Sequence, residues 1–69
     1  MMSNRLDLHG KKHVDVEILV EDFILTNETP IYIITGNSKV MQDIVIKVLN
    51  LHNFKWLIKA HNLGEIIVL

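Results

Sequence analysis

The chain contains no cysteine, so no disulfide staples it and no thiolate can act as nucleophile or metal ligand. Long apolar runs are missing too. Stretches such as Ile44 to Ile46 and Ile66 to Leu69 stop far short of the ~20 residues needed to span a bilayer, and no signal-peptide core follows Met1. Neither sign of charge is in excess, with 7 Lys and Arg against 8 Asp and Glu, a net charge of −1 and a pI of about 6.4. That balance excludes a protein held along DNA by bulk electrostatics, and any nucleic-acid contact must be local. Low-complexity tracts, linkers and internal repeats are not apparent, and 69 residues leave no room for a second domain. The expectation is a single domain over 1–69, cytoplasmic, with no membrane contact.

What is present is apolar. Hydrophobic residues make up 49% of the chain and the mean hydropathy is +0.29, so it should fold around a true core. A domain this small buries only about 60% of its surface on folding, which favours self-association. The charges are segregated. Arg5, Lys11 and Lys12 precede Val14 against Asp7 alone, whereas Asp15, Glu17, Glu21, Asp22 and Glu28 follow with no Lys or Arg among them. Lys39, Lys47, Lys55 and Lys59 then face Asp43 alone. One helix face is therefore acidic, a solvated surface that repels polyanions.

Residues 5–9 alternate, Leu6 and Leu8 against Arg5, Asp7 and His9, the period of a half-buried strand. Gly10 allows a sharp exit. Between His13 and Thr26, Val16, Leu19, Val20, Phe23 and Ile24 recur at helical spacing, and Asn27 and Pro30 end that helix. Residues 31–35 form a short β-branched run closed by Gly36 and Asn37, a buried strand. Asn37 or Ser38 caps a second helix whose stripe is Met41, Ile44, Val45, Val48 and Leu49, ending within 50–53. Residues 54–60 alternate Trp56, Ile58 and Ala60 against Lys55, Leu57 and Lys59, and a turn over 61–64 leads into a last strand, 65–69.

The order βαβαββ predicts a two-layer α/β sandwich: a mixed four-stranded sheet with both helices on one face. Right-handed crossovers make the first three strands parallel, and the last runs antiparallel to the third. The uncovered face should carry Arg5, Asp7, His9, Tyr32, Ile34, Lys55, Leu57, Lys59, Glu65, Ile67 and Leu69. Its apolar members are a candidate surface for homo-oligomer formation.

Ligands of open α/β sheets bind beyond the carboxyl ends of the parallel strands, where loops diverge and helix N-termini expose N–H groups. Here those ends carry His9, Gly10, Lys11, Lys12 and His13, then Thr35, Gly36, Asn37, Ser38 and Lys39, then His61 and Asn62. Topology thus gathers histidines and lysines at one rim, a phosphate-binding arrangement. Asp7 and His9, two apart on one strand, project from the open face, where an imidazole can exchange protons and a carboxylate can orient it. The plainer alternative is an Asp and a His solvating a strand end. Lys11, Lys12 and Lys39 are placed to neutralise a phosphate or to be ordinary loop lysines. His13 reads as a helix-start residue, and His52 as a cation at a helix C-terminus. Asp7, His9 and His61 offer one carboxylate and two imidazoles to a divalent ion, although their spacing is no known ligand motif. Tyr32 could stack a base, and Trp56 reads as core.

The run Leu6-Asp7-Leu8-His9-Gly10 resembles the N-terminal LDLHG signature of the Smr (small MutS-related) domain family. Thr35-Gly36-Asn37-Ser38 sits where that family has a (His/Thr)-Gly-x-Gly loop, and Gly64 before the apolar strand 66–69 resembles its C-terminal end. The resemblance extends over nearly the whole chain. It implies the βαβαββ fold also seen in the C-terminal half of a bacterial translation initiation factor. It further implies nucleic-acid binding with DNA-nicking or endoribonuclease activity, some similar domains cutting mRNA on stalled ribosomes and others only binding. Ser38 departs from the pattern, standing where the second loop glycine belongs. The implied site has Asp7 and His9 as catalytic residues and Gly10, Lys11, Lys12, Gly36, Asn37, Ser38, Lys39 and His61 around the nucleic acid, RNA or DNA. In the expected mechanism, Asp7 holds the imidazole while His9 takes the proton of the attacking hydroxyl. No cofactor is required by this reading, and Mg or Mn could assist.

Overall fold

A computed structural model describes residues 4–69, and the first three residues of the expected domain lie outside the described ones. Strand β1 (Arg5–Asp7) leads to helix α1 (His13–Thr26), β2 (Ile31–Ile34), helix α2 (Lys39–Leu51), β3 (Trp56–Leu57) and β4 (Glu65–Val68). The spatial strand order is β1-β2-β4-β3. β1 pairs parallel with β2, while β4 runs antiparallel to both β2 and β3, so β1, β2 and β3 point one way. This is the expected two-layer α/β sandwich. β4 has entered between the second and third strands, so α2 crosses over it to reach β3.

Helix spacing decides what the layers bury. Val16, Val20 and Ile24 of α1 and Met41, Val45, Val48 and Leu49 of α2 meet Leu8, Ile31, Ile33, Ile66 and Val68 in one core. Each such side chain contributes about 1.5–3 kcal/mol when fully buried. Leu19 and Phe23, the outer members of the α1 stripe, are half-buried against the same cluster, as are Trp56 and Ile58. The Trp56 indole N–H donates to Asn50 Oδ1 at 2.9 Å, which satisfies its polar edge beside the core.

The helix ends follow local chemistry. Ser38 Oγ accepts the Met41 N–H at 3.2 Å and caps α2, whereas Lys12 at the start of α1 gives no side-chain cap. At the far end of α1, Asn27 donates its backbone N–H and its Nδ2 to the Phe23 carbonyl. α2 closes with Asn53 at φ 62, its N–H on Asn50 O and that of Phe54 on Leu49 O, a Schellman closure with Asn in the usual glycine position. The imidazole of His52 then bonds Glu21 Oε2 at 2.8 Å, joining the two helices.

Two expectations need correction. The third strand shrinks from 54–60 to Trp56–Leu57, because this edge strand pairs only with β4 and the chain turns away where the Asn62 N–H reaches Lys59 O. The open face is also less apolar than expected. Ile67 is 9% exposed, since β4 is central and the in-register neighbours Tyr32 and Leu57 shield it from both sides. The larger exposed apolar side chains, Val14, Ile18 and Leu51 among them, lie on the helices.

The unequal caps generate a stability prediction. Ser38→Ala should destabilise the domain by about 1 kcal/mol and Lys12→Ser should stabilise it by a similar amount. Urea unfolding checks both, and equal midpoints for the two variants would contradict this account of the helix starts.

Candidate functional site

The carboxyl ends of β1 and β2 meet the loop before β4 at one edge of the sheet. Its centre is the Gly64 carbonyl, which accepts the Thr35 N–H at 2.8 Å, the Gly36 N–H at 3.1 Å and the Thr35 hydroxyl at 3.3 Å. Thr35 is buried and its hydroxyl also reaches Gly36 O at 2.9 Å, so a polar side chain is retained in the core fully bonded. Gly36 turns at φ +66, a left-handed conformation that glycine adopts without strain. A Cβ built on Gly64 would stand 3.3 Å from the Gly36 Cα, so the two loops are in backbone contact.

His9 borders this contact. A Cβ on Gly36 would lie 4.0 Å from His9 Nδ1, and the His9 side chain is exposed, as is Asp7. Asp7 Oδ1 accepts the backbone N–H of His9 at 2.9 Å. The expectation that Asp7 holds the imidazole is thereby corrected: a carboxylate two residues back on the strand reaches the main chain of the turn and fixes it, rather than reaching the ring. Gly10 follows at φ +78 with open space around it. Lys11 and Lys12 are exposed in the same turn, and the Lys11 N–H is bonded to Leu8 O.

On the second loop, the Gly36 N–H and the Ser38 hydroxyl are both engaged within the protein. Gly36 therefore offers no N–H to a ligand, contrary to expectation. The backbone N–H groups of Asn37, Ser38, Lys39 and Val40 have no acceptor among the described residues. Lys39 Nζ lies 2.6 Å from Asp43 Oδ1 in an exposed i,i+4 pair, of a kind worth only about 0.3–0.5 kcal/mol, so a phosphate can compete for it. His61 is exposed in the loop between β3 and β4 and makes no hydrogen bond to the other rim residues. Asp7, His9 and His61 do not form a metal-ligand set, and no group of three His, Cys, Asp or Glu among the described residues does. His13 is the exposed first residue of α1, as expected.

Three features escaped sequence reasoning. Gln42 Nε2 donates to Leu63 O at 2.5 Å, tying α2 to the last loop, and nothing in the sequence marks that residue. Beside it, Asn37, Lys39, Gln42, Ile58 and Leu63 line an open cleft of about 310 Å³. Glu65 is in register with Ile34, which is in register with Asp7. Two carboxylates thus share the open face one strand apart, roughly 10 Å at the ordinary strand spacing. Arg5 shares that face with them, so the face carries mixed charge and the lysine-bearing loops are the more basic approach for a polyanion.

Gly64 is the most constrained position of the rim. Gly64→Ala should cost about 1–3 kcal/mol, since the β-carbon must push β4 or the Gly36 loop aside. Urea unfolding and the amide NMR shift of Gly36 read this, and an alanine variant with both unchanged would refute the backbone contact.

Against protein-family models, curated proteins and solved structures, the chain matches nothing.

Proposed function

We propose that the domain is an Smr-like nucleic-acid-binding module that cleaves a phosphodiester at the rim, with RNA as the preferred substrate. The observation that carries this reading is the exposed His9 imidazole beside the Gly36 turn, next to the unpaired N–H groups that open α2. A phosphate seated on the N–H groups of Asn37, Ser38 and Lys39 gains from the helix dipole and from the Lys11, Lys12 and Lys39 charges. His9 then takes the proton of a ribose 2′-hydroxyl, whose oxygen attacks phosphorus while the 5′-oxygen leaves and is protonated by solvent. Asp7 acts through the main chain by holding the His9 turn. His61, exposed on the loop between β3 and β4, is available for a further contact with the nucleic acid.

One observation favours a second reading, a non-catalytic module that binds RNA, DNA or the ribosome. The Gly36 N–H is taken by Gly64 O and the Met41 N–H by Ser38 Oγ, so two N–H groups at this helix start are used within the protein and fewer remain for a developing phosphorane.

Purified protein incubated with single-stranded RNA, duplex DNA and supercoiled DNA separates the two. The cleavage reading expects RNA cutting that persists in EDTA and leaves a 2′,3′-cyclic phosphate and a 5′-hydroxyl. His9→Ala should abolish cutting while binding changes less than about threefold. Replacing Lys11 and Lys12 together by Ala should weaken binding and lower the slope of log K against log salt by roughly 1.4 on single strands. Binding without cutting, with or without Mg²⁺ or Mn²⁺, and indifferent to His9→Ala, leaves the binding module; no binding at all rejects both.

A further inference from the structure

The helical layer, not the sheet face, carries the protein's main exposed apolar surface. On α1, Val14, Ile18 and Leu25 are 79%, 71% and 60% exposed, and on α2, Val40 and Leu51 are 54% and 70% exposed with Ile44 half-buried between them. Both sets follow one spacing, i, i+4 and i+11, which lines each up along its helix over three turns. They are offset by 26 residues, and the helices themselves start 26 apart, at His13 and Lys39. The sheet carries nearly the same offset, Arg5 pairing with Tyr32 and Asp7 with Ile34, so the two stripes run level. This is an internal correspondence that the sequence alone does not display. The stripes also face the same groove. Glu21 reaches across to His52 at the end of α2, and Val14, Ile18 and Leu25 lie within about 60° of Glu21 around α1. Ile44 marks the corresponding side of α2.

We infer that a second copy of this chain covers this groove, about a two-fold axis running along the helices. Charge selects that axis. Between His13 and Thr26, α1 carries Asp15, Glu17, Glu21 and Asp22 with no Lys or Arg, while α2 carries Lys39 and Lys47 against Asp43. A two-fold across the helices sets acidic α1 on acidic α1. One along them sets α1 on the partner's α2, with apolar stripe on apolar stripe and Lys47 level with Glu21 of the partner subunit. A standard interface needs about 800 Å² from each subunit, roughly a sixth of the 4708 Å² surface of this one. One of two layers can supply that.

Sedimentation of the full chain from 1 to 500 µM, without nucleic acid, tests the inference. A monomer–dimer equilibrium is expected. Ile18→Lys, and independently Leu25→Lys, should leave a folded monomer that unfolds where the wild-type chain does when dilute enough to be monomeric, because both side chains are already exposed. Lys47→Glu should weaken the dimer about tenfold. The inference is overturned if the wild-type chain stays monomeric. It is equally overturned if Leu57→Lys on the sheet face dissociates the dimer while Ile18→Lys does not, or if Lys47→Glu leaves the dimer as tight as before.

Discussion

One carbonyl holds the functional edge together. Gly64 O takes hydrogen bonds from Thr35 N–H, Gly36 N–H and the Thr35 hydroxyl, and in doing so it fixes the start of β4 against the end of β2. Antiparallel pairing of β4 with β2 depends on that closure, because the four residue pairs from Ile31 with Val68 to Ile34 with Glu65 run straight out of it. β3 has only β4 as a partner, so its place follows as well. The same three bonds draw the Gly36 turn down onto Gly64, where a β-carbon would crowd the Gly36 backbone at 3.3 Å, while the positive φ of Gly36 disfavours a side chain there. His9 stands over that turn. The geometry of the rim is thus a by-product of how the last strand is locked into the sheet, which ties any chemistry at His9 to the stability of β4.

The helices were legible in the sequence because their signal is repeated over several turns. Val16, Val20 and Ile24 each predict the same buried face, and Asn27 and Ser38 supply chemistry that only a helix end uses. Strand existence and direction were legible for a related reason: right-handed crossovers leave few topologies for βαβαββ. Strand order was not. The short turn over 61–64 is compatible with β4 on either side of β3, and what decides between them is the distant match of Ile66 and Val68 to Ile31 and Ile33 in one core layer. Register across a sheet is a pairwise property, and no single segment states it. The shielding of Ile67 by Tyr32 and Leu57 was hidden for the same reason.

At the rim, the residues were legible but their bonds were not. Asp7 and His9 can be placed on one face from a period of two, yet whether the carboxylate meets the ring or the main chain depends on the turn at Gly10, whose φ is +78. Ser38, by contrast, was readable as a cap for α2, and the structure gives it that role through the Met41 N–H. Gln42 had no signal at all, since an exposed helical glutamine is the commonest of residues and its acceptor lies 21 positions away.

Electrostatics divide the molecule along one direction. Asp15, Glu17, Glu21 and Asp22 mark α1, Arg5, Asp7 and Glu65 give the open sheet face mixed charge, and Lys11, Lys12 and Lys39 mark the rim between them. With a net charge of −1, a single rim of three lysines gives a polyanion little to hold. The proposed two-fold axis along the helices would change that balance, because it would leave the rims of both copies at the same end of the dimer. A nucleic acid that reaches both pays its translational entropy once, and the second rim binds at the effective concentration set by the first. An axis across the helices would send the rims to opposite ends and forfeit this gain. In the proposed dimer the acidic helix would serve both surfaces: it would set the orientation in which copies meet, and it would keep a polyanion on the rim.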